Sequence, residues 1–204
     1  PSPEYQTRLI LVNSKIALAT TLILLVFGFC TYFFFEQDAS LAEHPTLFGK
    51  FVTSFFGSVT PRTAGFSTVD LTKLTLPTVL IYLLLMWIGA SPSSTGGGIK
   101  TTTAAVAFLN LRTIILGKNR TDVYRTQIAE QSINKAFAVI LLSLVIIGLA
   151  VLMISVNDDK HGLLKIAFEV FSAFSTVGLT LGITPELSET SKMVLIFTMF
   201  IGRV

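Results

Sequence analysis

Polar residues fall at intervals along this chain and leave long apolar runs between them. No Asp, Glu, Lys or Arg occurs in residues 16–35, 74–99 or 136–157. A membrane-crossing helix needs about 20 predominantly apolar residues. The pattern therefore predicts spans at residues 9–35, from about 74 onward, and at 135–156. A fourth apolar run, 190–204, opens a further span and stops inside it. The start, Pro1-Ser2-Pro3-Glu4, shows neither Met nor a signal-peptide pattern. Both ends lead us to expect a piece of a longer polypeptide. Two shorter apolar runs lie between the spans. Residues 46–60 place Leu47, Phe48, Phe51 and Phe55 at helical spacing, with Pro45 expected in the first turn and Pro61 as the stop. At about 1.5 Å per residue this helix reaches only about 22 Å, short of a ~30 Å hydrocarbon core. Residues 163–175 form a second short helix of the same kind.

Each short helix runs into a glycine-bearing string: Thr63-Ala64-Gly65-Phe66 and Thr176-Val177-Gly178-Leu179. The order of span, outer loop, short helix, Thr-x-Gly string and second span thus occurs twice. Lys15 pairs with Lys135 and Gly28 with Gly148 at one constant spacing, and Thr63 and Gly65 pair with Thr176 and Gly178 at another. The expected fold is an all-α integral membrane protein of repeated helix–pore helix–filter loop–helix units, the first over residues 1–133 and the second over 134–204. Irregular backbone at membrane depth is tolerated only where it is buried in protein or lines a watery cavity. Rings of carbonyl oxygens can replace an ion's water shell there, and the short helices would aim their negative ends at the path. The candidate cation ligands are the carbonyls of Thr63, Ala64, Gly65, Thr176, Val177 and Gly178, with Phe66 and Leu179 completing the strings.

The helix after the first string is expected over residues 74–90. It breaks at Ser91-Pro92-Ser93-Ser94-Thr95-Gly96-Gly97-Gly98-Ile99-Lys100, because Pro and three glycines cannot continue a stable helix. Helical pattern resumes at residues 101–115. This loop is the candidate obstruction beneath the strings. The glycines do not make a nucleotide site, since Ile99 separates Gly98 from Lys100 and the G-x-x-x-x-G-K-[ST] pattern fails. Lys100 either faces the interior or snorkels to the cytoplasmic headgroups. Arg203 is expected deep in the last span, as a cation beneath the strings.

Composition supports the membrane reading: 51% of residues are hydrophobic and 13% charged, with a mean hydropathy of +0.73. Soluble domains carry roughly 25% charged residues. The distribution of charge then sets an orientation. Arg112, Lys118, Arg120, Arg125 and Lys135 crowd residues 112–135, while Glu36, Asp38, Glu43, Asp158, Asp159, Glu186 and Glu189 occupy the opposite loops. Cytoplasmic loops are rich in Lys and Arg, so residues 112–135 and the N-terminus are placed inside and both strings near the outer face of a multi-pass protein. Beside three spans, this outweighs a nucleic-acid reading of the basic run. Cys30 has no partner cysteine. His44 and His161 are expected to be solvated, and the sequon Asn119-Arg120-Thr121 falls on the cytoplasmic side. Glu169 is the acid expected within a membrane element; it suits a hydrogen-bonding brace for the string better than enzyme chemistry.

Residues 58–68, 88–103 and 172–179 together resemble the signatures of the Trk/Ktr/HKT superfamily of potassium transporters, nearest to the bacterial Ktr membrane subunit. The resemblance implies four helix–pore helix–helix repeats around one pore, of which this chain looks like the third and fourth. It implies potassium as the transported ion, with sodium in some members. It further implies a selectivity role for Gly65 and Gly178, a gate at residues 90–100, and a cavity-facing cation at Arg203. It also implies a homodimer, lipid surroundings in the plasma membrane, and a cytosolic nucleotide-binding regulatory ring. The uptake is expected to be sodium-stimulated in some members; a tetrameric potassium channel or a sodium-permeable cation transporter is the alternative, and the difference between Phe66 and Leu179 favours a fused, asymmetric pore over the channel.

Overall fold

The computed structural model describes residues 3–92, 94–117, 122–123 and 126–203, with side chains from Val12 onward except at Asp122 and Thr126. Ser93 of the expected gate, Lys118, Arg120 and Arg125 of the basic run, and the sequon all lie outside the described residues.

Among the described residues, seven α-helices carry the chain. Helix α1 (Pro3–Phe35) leads to α2 (Leu47–Val59), α3 (Leu76–Trp87) and α4 (Thr101–Ile115). A two-residue antiparallel ladder follows, with β1 (Asp122–Val123) against β2 (Thr126–Gln127). Then come α5 (Glu130–Asn157), α6 (Leu163–Phe174) and α7 (Glu189–Arg203). Helices α1, from Val12, and α5 are long and apolar enough to cross a membrane. The small ladder has no counterpart in the sequence reading, which expected helix and linker alone. Pro45 also differs from expectation. Thr46 is the N-cap of α2 and its hydroxyl accepts the Gly49 N–H, so Pro45 precedes the helix. Helix α3 ends at Trp87, a turn short of expectation, because the chain leaves the helix at Ile88.

Helix α1 packs on α2, α3 and α4, and α5 packs on α4, α6 and α7. The two groups join where α3 meets α6 and α4 meets α5. One apolar cluster fills the first junction, with Tyr32, Val79, Tyr82 and Met86 against Phe168, Val177, Leu179 and Leu181. Another lies among Ile147, Ile154, Ile166, Val170 and Leu195 of α5, α6 and α7.

Each long helix ends in a buried carboxylate that grips the start of a later helix. Glu36, fully buried, accepts the N–H and hydroxyl of Thr75 at 2.9 and 2.8 Å. Asp158, 7% exposed, accepts the N–H and hydroxyl of Ser188 at 3.1 and 2.8 Å. Thr75 and Ser188 stand just before α3 and α7, so each grip fixes the entry of a helix whose first N–H groups lack partners. Each also bonds a hydroxyl three residues on, Thr78 at 3.0 Å and Ser191 at 3.1 Å.

The packing separates one matched pair and overturns one expectation. Gly28 lets α1 approach α2, since a Cβ there would meet the Ser58 hydroxyl oxygen at 2.8 Å; its sequence counterpart Gly148 has nothing within 4 Å. The matched glycines therefore serve different ends. His161 is not solvated: its side chain is 8% exposed and lies 3.9 Å from Glu186.

Candidate functional site

Both short helices end in the same backbone conformation. Thr63 and Gly65 have φ of 62° and 71°, and Thr176 and Gly178 have 52° and 93°. The residues between them, Ala64 and Val177, keep negative φ. In an extended strand successive carbonyls point to opposite sides; alternating the sign of φ turns them toward one side. Glycine reaches the left-handed region freely, but a β-branched residue there is a true outlier. Strain of this kind costs about 1–3 kcal/mol per residue and persists where the surroundings enforce it. The surroundings here are polar. The Thr60 carbonyl accepts the Ala64 and Gly65 N–H groups at 3.2 and 3.1 Å, and the Thr60 hydroxyl donates to the Phe66 carbonyl. In the second string the Ser172 carbonyl accepts the Val177 N–H at 2.9 Å and the Ser172 hydroxyl accepts the Gly178 N–H at 3.2 Å.

The two strings meet. A Cβ on Gly65 would overlap the carbonyl oxygen of Val177. Behind the second string, Val177 and Leu179 are 6% and 3% exposed against α3. Their counterparts in the first string, Ala64 and Phe66, are exposed, Phe66 to 73%. Glu169 of α6, 5% exposed, holds the far end of the second string: its carboxylate accepts the hydroxyls of Thr180 and of Thr184 (2.7 Å) and the Leu181 N–H. The brace expected of Glu169 is therefore present. Phe56 takes its place in the first unit, at the spacing that separates the two strings.

The glycine loop lies directly against both strings. It leaves α3 and returns beside it, with Ile88 and Ile99 paired in parallel, the Gly89 N–H on the Ile99 carbonyl (2.9 Å) and the Thr101 N–H on the Ala90 carbonyl (3.2 Å). A Cβ on Gly96 would meet the Thr63 hydroxyl oxygen at 2.7 Å, and one on Gly97 the Thr176 hydroxyl oxygen at 2.8 Å. The Gly97 N–H donates to that same Thr176 oxygen, 2.8 Å away. The Gly98 N–H donates to the Gly202 carbonyl of α7 at 3.1 Å. Ser91 is half-buried, while Pro92, Ser94 and Thr95 form the loop's exposed tip. The Lys100 ammonium turns back onto the Gly96 carbonyl instead of reaching toward headgroups. Arg203 is exposed on the last turn of α7.

A membrane chain with two facing, sign-alternating Thr-x-Gly strings and a glycine loop beneath them suits cation passage, and its sequence matches accordingly. Residues 3–204 match the TrkH family, described as cation transport protein. This chain belongs to that family. It is 35% identical over 203 residues to the potassium/sodium uptake protein NtpJ of Enterococcus hirae, covering 98% of this chain and 45% of that protein. It is 39% identical over 194 residues to the Ktr system potassium uptake protein B of Vibrio alginolyticus, covering 95% of this chain and 42% of the relative. The crystal structure of the potassium transporter TrkH from Vibrio parahaemolyticus superposes with a TM-score of 0.75 at 17% identity, over 94% of this chain and 42% of that one. The chain spans less than half the length of these relatives.

Within this TrkH-family chain, the sequence reading missed the grips of Glu36 and Asp158 and the roles of Thr60, Ser172 and the Thr176 hydroxyl. One signal was available. Thr75 and Thr78 precede Ser188 and Ser191 at the same spacing that separates Thr63 from Thr176, so the hydroxyl pairs repeat along with the strings.

Proposed function

We propose that this protein takes up potassium across the plasma membrane through a pore whose selectivity filter includes the carbonyls of Thr63, Ala64, Gly65, Thr176, Val177 and Gly178. The observation that carries this reading is the facing of two strings with the same alternating φ, Gly65 against the Val177 carbonyl. The names of the relatives support the ion. Sodium is the second cation in view, because the Enterococcus hirae relative is named for both ions. The driving force is the membrane potential, worth about 2.3 kcal/mol per charge per 100 mV.

In this reading residues 1–133 and 134–204 are two of four pore units, the third and fourth. The exposed Ala64 and Phe66 fit it, since Val177 and Leu179 at the matching places bury against the preceding unit's inner helix. The loop from Ser91 to Lys100, with Gly96, Gly97 and Gly98 against the strings, is the gate, and Arg203 is the cation below it. The strings face outward and residues 112–135 the cytoplasm, where a nucleotide-binding regulatory ring would act on a homodimer of the whole subunit.

Rubidium influx into cells lacking their own potassium uptake, competed by sodium, tests the filter reading with Gly65→Ser and Gly178→Ser. Both should let sodium compete. Unchanged competition in both variants, at normal membrane abundance, refutes it. Deleting residues 96–98 tests the gate: influx should rise, and unchanged influx removes the loop from that role.

A further inference from the structure

Thr63 and Thr176 occupy matched places with matched backbone, yet the loop treats them differently. Gly96 only touches Thr63, and its own N–H is taken by the Ser94 hydroxyl at 3.3 Å. The Gly98 N–H is taken by Gly202 of α7. The Gly97 N–H alone among these three reaches a string, at the Thr176 hydroxyl oxygen. The other polar side chain of the second string's base, Ser175, is fully buried against Gly98 and its hydroxyl has no partner among the described residues.

We infer that the Thr176 hydroxyl is the latch of the loop: its bond from the Gly97 N–H holds the three glycines under the strings, and releasing the loop breaks that bond. This rests on the gate reading above. The physical case has three parts. The loop ends are fixed by backbone bonds at Ile88, Ile99 and Thr101, so only its middle can move. That middle carries no side chains to pack, and a glycine backbone gains more freedom on release than any other. The Lys100 ammonium on the Gly96 carbonyl and the Gly98 bond to α7 also hold that middle, but what ties it to a string is one neutral hydrogen bond, and a typical one contributes about 0.5–1.5 kcal/mol net. A bond of that size is strong enough to bias a loop toward closure and weak enough to be broken by a modest push from a partner or an arriving ion. Thr176 is thus a positioning residue for the loop besides being part of its string, and Thr63 is not.

The test compares Thr176→Val, Thr176→Ser and Thr63→Val, each with the loop intact and with residues 96–98 deleted. Rubidium influx and sodium competition are read per amount of protein in the membrane. Loss of one such bond corresponds to about a threefold to tenfold shift in the open-to-closed ratio. Thr176→Val should raise influx by that order with the intact loop and add nothing once the loop is deleted. Thr176→Ser, which keeps the hydroxyl, should retain the native ratio of loop-deleted to intact-loop influx, and Thr63→Val should not raise influx. If Thr176→Val fails to reach the membrane, Thr176→Ala serves in its place. A Thr176 effect that persists without the loop, or appears equally at Thr63, assigns the hydroxyl to the ions and overturns the latch. Raised influx on deletion but none with Thr176→Val overturns the latch and spares the gate. No rise on deletion overturns both.

Discussion

The carbonyl oxygen of Val177 abuts the Cα of Gly65, so the two strings touch at a point where no side chain fits. Gly65 also holds φ of 71°, which an L-residue adopts at a cost. Gly65→Ala should therefore move the Val177 carbonyl and lower potassium-over-sodium preference by about tenfold or more, one tenfold being about 1.4 kcal/mol. Rubidium influx with sodium competition measures it, and an alanine variant with native preference contradicts the contact.

Glu169 collects three donors from the segment that follows the second string. A hydrogen bond to a charged group contributes about 1.5–3 kcal/mol. Glu169→Ala should lower the thermal midpoint of the detergent-solubilised protein and let sodium pass more freely. Glu169→Gln, which keeps the shape, should do less of both. Phe56→Leu, at the matching place in the first unit, should leave sodium competition unaltered.

The carboxylate grips of Glu36 and Asp158 make stability depend on acidity. Burial pushes the Glu36 carboxyl up, but donors from Thr78, Thr75 and Ser40 together pull it further down, to below its ordinary 4.5. For Asp158, the Ser191 hydroxyl is the largest influence; with the hydroxyl and N–H of Ser188 it outweighs burial and holds the carboxyl below its ordinary 3.8. A depressed carboxylate adds stability that is complete above its unfolded pKa and is lost as pH falls through its folded one. Midpoints should therefore be flat above pH 4.5 and fall below it. Glu36→Gln should cost about 2 kcal/mol near neutral pH, the loss of charge-assisted hydrogen bonds, and should blunt the acid decline. An acid limb identical to the native one in Glu36→Gln argues against the grip.

Arg203 ends α7 next to Gly202, whose carbonyl holds the loop through Gly98. A fixed positive charge on a cation path raises the barrier to passage, more so where water is scarce. Arg203→Gln should raise rubidium influx severalfold at equal membrane abundance. An unchanged concentration curve would place the guanidinium off the path.

The linear chain determined what depends on neighbours close in sequence. Uninterrupted apolar runs dictate α1 and α5, because no polar group there can be left in hydrocarbon. Pro92 and the three glycines keep residues 91–100 out of a helix and let the next start at Thr101, while α3 already stops at Trp87. The repeated Thr-x-Gly strings announce a doubled site, since only glycine moves easily into the conformation found at Gly65 and Gly178. Tertiary structure decided what depends on groups far apart. Glu36 meets Thr75 across 39 positions, and Gly97 meets Thr176 across 79. A carboxylate in the loop after α1 reads the same in sequence whether it is solvated, like Glu43, or buried, like Glu36. Gly28 and Gly148 are likewise equivalent in sequence, and only the approach of Ser58 separates them. Burial and hydrogen-bond direction arise from packing between helices, and a one-dimensional pattern records which faces can pack but not which atoms then meet.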